Sequence, residues 1–430
     1  MSLIVNIAAG LDSLAMALGT SSAVAAAIHG GNATPETARA LAHVEIAFRA
    51  LPVATSALFA RIAVKNGVGR TWALAAVFHV VSMAMLIGGQ SPSLAALVCS
   101  VPAPMTAYAR ALLNIVAEHQ EIGLRTLKGT QKRLNIANSA VHYLAYTIGF
   151  GVSAAVLYGG HGSAPLFWTA LLLSCAEIFV AVVCYNRIER SDRTHYSPVG
   201  KLDVGTPRLA ECTALIPFSG YASFFTELSN HGRSKLPIWR YKCAFWSGGF
   251  GAKVARVSAD VIMNSWVMFF YNEKHPGAAA VHFGVTCFVG FLTCIVAQHV
   301  DSIHVKWGLV LMAMVARIGI SIYAAAFSAT SFAVVYGVFR GVACLRSPLV
   351  ASDLFALAYN HASHTTHSTN ELMALVRAAT SSASFVAAFA TLSMPHLPAM
   401  IPDGLGALPV VLPACLDLLT SLVFYSSLYL

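Results

Sequence analysis

Long apolar segments alternate with short polar turns along almost the whole chain. A membrane-spanning helix needs about 20 mostly apolar residues, and both halves of the chain offer six such segments. The first six are 3–28, 40–62, 71–89, 92–116, 136–158 and 165–186. The second six are 254–271, 279–299, 307–326, 330–350, 370–393 and 406–429. The pattern predicts an all-α integral membrane protein of about 12 transmembrane helices in two six-helix bundles.

The interval between the two sets of segments is too basic for a lipid core. Residues 187–256 hold eleven of the 27 Lys and Arg residues. We therefore divide the chain into an N-terminal bundle at 1–186, a basic cytoplasmic linker at 187–253 and a C-terminal bundle at 254–430. Basic segments remain on the cytoplasmic side of a membrane and attract anionic lipid headgroups, so lipid is an expected partner of the linker.

The charges of the remaining loops support this count of spans. Loops on the linker's side of the predicted membrane are mostly basic, whereas the opposite loops contain only Arg39 and Lys274. Such asymmetry is typical of the cytoplasmic and external faces of membrane proteins. We expect a monomeric, multi-pass protein of a bacterial inner membrane with both termini in the cytoplasm.

Composition excludes several other classes of protein. Hydrophobic residues make up 57% of the chain and charged residues 10%, whereas about a quarter of the residues in a soluble domain are charged. The net charge of +9 is spread over loops and does not form one basic face, so no nucleic-acid partner is expected. The sequence has no GxxxxGK[ST] motif, no CxxC pair and no motif that joins a nucleophile to a base. We expect neither an enzyme nor a cofactor or metal centre.

A shift of 235–236 residues aligns several polar positions of the two halves. It places Trp72 on Trp307, and Glu177 and Asp417 then fall in the paired sixth and twelfth spans. Many transporters are built from such repeats.

With this layout, the chain resembles the major facilitator superfamily. The segment Ala60-Arg61-Ile62-Ala63-Val64-Lys65-Asn66-Gly67-Val68-Gly69-Arg70 is similar to the family's Asp-Arg and Gly-Arg-Arg signature between helices two and three. Val64 stands where the family has Asp, although Asp301 occupies the corresponding turn of the second half. The resemblance implies a secondary transporter whose two bundles rock around a central cavity.

Ionisable residues inside spans are the candidates for chemistry, because each costs about 2.5–3.5 kcal/mol at a helix centre. They are Asp12, Glu45, Arg49, Arg110, Glu177, Asp260, Arg317, Arg340, Arg377 and Asp417. The resemblance implies that helices one, four, seven and ten border the cavity. Acids and bases are balanced, which leaves anion binding and proton transfer both open.

Four of these residues are predicted to bind the solute. Arg110 and Arg340 are the best candidates, because a guanidinium grips a carboxylate or phosphate with two parallel bonds. Glu45 and Arg49 lie four apart on one helix and either neutralise each other or line the cavity. Arg346 is closer to a predicted helix end, where we expect it to extend to the headgroups.

Four acids are predicted to carry a coupling proton or cation: Asp12, Asp260, Glu177 and Asp417. A buried carboxylate can take up a proton reversibly. For Asp12 and Asp260, the alternative is a structural ion pair with an arginine such as Arg110 or Arg340.

The remaining polar features are given structural interpretations. We expect His79, His142 and His282 to be hydrogen-bonded packing residues. His361, His364 and His367 have a spacing that suits a metal, but their Ser- and Thr-rich surroundings indicate a solvated loop. Small residues around Gly149 and Ala378 predict close helix packing.

The sequence thus predicts secondary transport of a small anionic or zwitterionic solute, with proton coupling left open. The alternative is a multispanning scaffold or membrane-inserted secreted factor that keeps the fold without transport.

Overall fold

The computed structural model is almost entirely helical in the part that it describes, which comprises residues 2–28, 68–100, 127–195, 238–252, 254–256, 258–259, 277–362 and 408–430. In chain order the α-helices are α1 Ser2–Ile28, α2 Val68–Ile87, α3 Pro92–Ser100, α4 Leu127–Tyr158, α5 Ala164–His195, α6 Ile238–Ala244, α7 Gly277–Gln298, α8 Ile303–Ile322, α9 Ala329–Ala343, α10 Arg346–Ala362 and α11 Leu408–Tyr429. A π-helical segment, Phe245–Gly251, continues α6.

Eight helical segments of this part are long and apolar enough to cross a membrane. They are Asn6–Ala26, Arg70–Ile87, Asn135–Tyr158, Ala164–Val183, Gly277–Gln298, Ile303–Ile322, Ala329–Leu354 and Val410–Tyr429. Each coincides with a predicted span, so the prediction of an all-α, multi-pass membrane protein is confirmed. The other four predicted spans, 40–62, 92–116, 254–271 and 370–393, lie wholly or partly outside the described residues.

Large apolar side chains cover the outer faces of these helices. Leu172 and Phe179 of α5 are 68% and 71% exposed, and Met312 of α8 is 73% exposed. Exposed apolar surface of this extent is typical of a face that lipid covers.

Helical structure also reaches into both ends of the predicted linker. Helix α5 continues to His195, and α6 begins at Ile238. Residues 196–237 lie outside the described part.

The described helices form an N-half, α1–α5, and a C-half, α6–α11. In the N-half, α5 packs against α1 and α2, and α4 packs against α1. The contact between α4 and α1 is close at Gly149, as predicted. A Cβ atom at this position would lie 2.5 Å from the Cβ atom of Ala17. Helix α4 also packs along α7 and against α10, and it therefore joins the two halves.

A break divides the predicted span 330–350 into α9 and α10, with a turn at Cys344. Pro348 explains the break, since it has no N–H group and its ring would clash with the carbonyl group four residues earlier. That carbonyl group, at Cys344, accepts a hydrogen bond from the hydroxyl of Tyr143 at 3.3 Å. The break therefore provides α4 with an acceptor in the other half.

Gly341 allows α9 to touch the backbone of α7. A Cβ atom at this position would lie 2.6 Å from the carbonyl oxygen of Thr286 and 3.0 Å from the amide nitrogen of Gly290. We expect Gly341→Ala to lower the melting temperature of the detergent-solubilised protein, because overpacking typically costs about 1–3 kcal/mol.

Gly308→Ala in α8 is the matched control, since nothing lies within 4 Å of a Cβ atom there. Alanine favours a helix over glycine by about 1 kcal/mol, so this variant should melt at the same temperature or higher. Equal changes in both variants would contradict a close contact between α7 and α9.

Candidate functional site

Three helices of the C-half converge on one carboxylate. Asp417 of α11 accepts from Arg317 Nη1 of α8 through Oδ2 at 3.0 Å, and from Arg346 of α10 through Oδ1. Arg317 Nη2 also donates to the hydroxyl of Tyr336 on α9, 3.0 Å away. All four side chains are buried. This C-half cluster (Arg317, Tyr336, Arg346 and Asp417) ties α8, α9, α10 and α11 together.

The prediction for Arg346 is wrong. Its side chain does not extend to the headgroups but is 8% exposed and bonded to Asp417. The span continues to Leu354, beyond its predicted end at residue 350, so Arg346 lies inside the bundle. The coupling role of Asp417 stays a prediction, and its two ion pairs favour the alternative of a structural ion pair.

Arg340 belongs to a second polar group, between α9 and α7. Its Nη1 is 3.0 Å from His282 Nε2, and its guanidinium carbon lies 5.4 Å from the centre of the Phe283 ring. His282 Nδ1 is 3.1 Å from the carbonyl oxygen of Ala333. A carbonyl oxygen can only accept, so Nδ1 carries the hydrogen and Nε2 accepts from Arg340. His282 is thus a hydrogen-bonded residue that orients Arg340.

Stacked aromatic rings connect this group to the N-half. The ring centroids of Phe283 and Phe150 are 5.3 Å apart, and those of Phe150 and Tyr146 are 6.0 Å apart. Phe150 and Tyr146 belong to α4. A buried guanidinium and aromatic faces therefore meet where the two halves join, and the substrate-binding role of Arg340 stays a prediction.

Three potential metal or proton ligands meet inside the N-half. His79 Nδ1 of α2 lies 3.4 Å from Asp12 Oδ1 of α1 and 3.5 Å from Glu177 Oε2 of α5. Their side chains are buried, and Glu177 is completely so. Trp72 Nε1 donates to the other oxygen of Glu177, Oε1, at 3.0 Å. We refer to Asp12, His79 and Glu177 as the N-half cluster.

The two acids of this cluster are candidates that the sequence predicts, whereas His79 is predicted to be a hydrogen-bonded packing residue. Packing alone does not describe His79, because its ring nitrogen faces both carboxylates. The three residues come from three helices, so no local spacing could reveal them. The available signal was a histidine at the centre of a span with few other polar residues.

His142 does act as a packing residue, as predicted. Its Nδ1 is 2.5 Å from the hydroxyl oxygen of Ser13, which itself donates to the carbonyl oxygen of Ala9 at 2.8 Å. This contact connects α4 to α1 beside Asp12.

The N-half and C-half clusters occupy corresponding places. Glu177 in the sixth predicted span faces His79 of the third, and Asp417 in the twelfth faces Arg317 of the ninth. Trp72 and Trp307, which the repeat aligns, are both fully buried. The two clusters thus lie in paired spans, and the internal repeat stays a prediction.

Several predicted residues lie outside the described part, and their roles stay predictions. They are Glu45, Arg49, Arg110, Asp260, His364, His367, Arg377 and most of the loop from Ala60 to Arg70. His361 lies in the last turn of α10.

No protein family and no curated protein sequence matches the chain. Solved structures match it along its whole length. The nucleoside transporter NupG is 12% identical with a TM-score of 0.58, covering 100% of this chain and 99% of that chain. A mutant of NupG is 14% identical with a TM-score of 0.60, covering 99% of both chains. The human organic anion transporter MFSD10 (TETRAN) is 12% identical with a TM-score of 0.63, covering 98% of both.

These three structures are of transporters and not of enzymes. At such low identity the likeness concerns the fold. The chain therefore has the fold of the major facilitator superfamily, as the resemblance in its sequence implied.

Proposed function

We propose that the protein is a secondary active transporter that moves a small solute by alternating access of its two halves. The observation that carries this proposal is the match in fold to NupG and MFSD10 over at least 98% of each chain. The junction between the halves suits such a motion. Besides the packing of α4 against α7 and α10, the junction holds stacked rings and single hydrogen bonds, such as Asn135 to Ser352 at 3.0 Å, which can break and form again.

An anionic or zwitterionic solute fits the chemistry of this junction best. The Arg340 guanidinium stays charged and can bind a carboxylate or phosphate with two parallel bonds. The neighbouring rings of Phe283 and Phe150 offer faces for an apolar part of the same solute. We assign Arg110, Arg49 and Glu45 to the N-half side of this site. MFSD10 is named an organic anion transporter, which supports the same class of solute.

We further propose that transport is coupled to protons, with Asp12 and Asp260 as the carriers. The buried position of Asp12 supports this assignment. The loop charges support an orientation with both termini in the cytoplasm, and we place the protein in a bacterial inner membrane.

A flux panel in proteoliposomes tests the proposal. Organic anions, amino acids and nucleosides should be measured in both directions with and without a pH gradient. We expect flux of an anionic or zwitterionic member of the panel. Absence of flux from folded protein for every class would support a non-transporting scaffold instead.

Arg340→Lys should weaken substrate binding about tenfold or more, since hydrogen bonds to charged groups contribute about 1.5–3 kcal/mol. The variant keeps the charge but loses the planar fork. Binding can be measured by scintillation proximity with the solute that the panel identifies.

Arg317→Lys in the C-half cluster is the matched control, and it should reduce the yield of folded protein more than the affinity. If Arg340→Lys reduces yield and binding in the same proportion, Arg340 is a structural residue and the assignment fails.

A further inference from the structure

We propose that the N-half cluster is a binding site for a first-row divalent transition-metal ion of the class of Zn²⁺. Asp12, His79 and Glu177 each offer one ligand atom, and these three atoms all lie within 4.8 Å of one another. The proposal concerns binding and does not depend on the protein being a transporter.

The separations of His79 Nδ1 from the two carboxylate oxygens are those of ligands around one ion. Tetrahedral ligands about 2.1 Å from Zn²⁺ lie about 3.4 Å from each other, and His79 Nδ1 is 3.4 Å and 3.5 Å from the two carboxylate oxygens. The nearly equal separations favour a shared central ion.

Glu177 Oε2 provides a second, independent observation. It is buried and has no hydrogen-bond partner among the residues that the structure describes. A buried acceptor without a partner is unfavourable, and this oxygen faces His79 Nδ1. A central cation would satisfy it. Trp72 holds the other oxygen, as outer-shell hydrogen bonds commonly do for carboxylate ligands of metals.

The donor set selects the class of ion. Two carboxylates carry the charge that balances a dication, and the imidazole nitrogen disfavours Mg²⁺ and Ca²⁺, which take oxygen ligands. One nitrogen and two oxygens suit Zn²⁺ and its neighbours in the first transition row, with water completing the coordination.

Co²⁺ is the probe for the test, because its visible absorption is intense when it is bound tetrahedrally. The full-length protein in detergent should be stripped with EDTA and titrated with Co²⁺ and then with Zn²⁺. We expect one tightly bound equivalent of Co²⁺, its displacement by Zn²⁺, and a higher melting temperature with Zn²⁺, since the ion binds only the folded state.

Glu177→Gln is the decisive variant. It keeps an oxygen for Trp72 Nε1 and removes the charged ligand, so affinity should fall by more than about 100-fold, the upper range for loss of a mere outer-shell partner. His161→Gln, in the exposed turn between α4 and α5, is the matched control and should bind as tightly as the unaltered protein.

Two results would overturn the proposal. One is the absence of a tight equivalent in the unaltered protein, which would leave the cluster as a proton-sharing group. The other is unchanged binding by Glu177→Gln, which would place the ion on surface histidines. If this variant does not fold, zinc X-ray absorption spectroscopy of the unaltered protein tests the proposal instead. A coordination shell that contains sulfur or several imidazoles would exclude this site.

Discussion

Asp417→Ala should remove most of the folded protein. The substitution leaves the guanidinium groups of Arg317 and Arg346 buried without the carboxylate that both contact. Removal of one partner from a buried ion pair costs about 3–5 kcal/mol, which is a large part of a typical folding free energy of about 5–15 kcal/mol. Size-exclusion chromatography of the solubilised protein and its melting temperature measure the effect.

Asp301→Ala is the control for this prediction. Asp301 is an exposed acid in the turn before α8, and surface substitutions usually change stability by less than about 0.5 kcal/mol. Normal yield and melting temperature for Asp417→Ala would show that the C-half cluster contributes little to folding.

Asp12→Asn should abolish accumulation driven by a pH gradient and leave exchange of solute across the membrane intact. Asparagine has nearly the same size as aspartate but cannot carry a proton, so the halves can still move while the coupling is lost. The same result is expected for Asp260→Asn. Counterflow and gradient-driven uptake in proteoliposomes separate the two activities.

Asp301→Asn serves here as the control and should keep both activities. Normal gradient-driven uptake by Asp12→Asn would refute coupling through this acid, and loss of Co²⁺ binding by the same variant would then assign Asp12 to the metal site alone. Loss of folded protein in proportion to activity would indicate a structural role.

The spans could be predicted from the sequence because a lipid-crossing helix needs about 20 mostly apolar residues. Their boundaries were less accurate where a helix begins with polar residues. Helix α8 starts at Ile303, where the side chain of Ser302 accepts from the amide nitrogen of Val305. Lys306, which directly precedes the predicted span 307–326, is buried in the first turn of this helix. Hydropathy does not detect such a cap.

The site was only partly predictable, for a different physical reason. A buried charge is visible in the sequence because it is rare in a span, and this identified Asp12, Glu177 and Arg340. Its partner is decided by helix packing, which the sequence does not display. The sequence therefore indicates a packing role for His79 and does not reveal that the span with Arg346 continues to Leu354.

The corresponding clusters of the two halves differ in the base that faces the acid. Arginine keeps its charge at every pH that a cell meets, so the contacts that hold α8 to α11 are the same in any medium. Histidine is the side chain whose charge changes between about pH 5 and 8 and which most often binds metals. With a metal ion bound as proposed, the contacts among α1, α2 and α5 should depend on the metal content of the solution, whereas those of the C-half cluster should not.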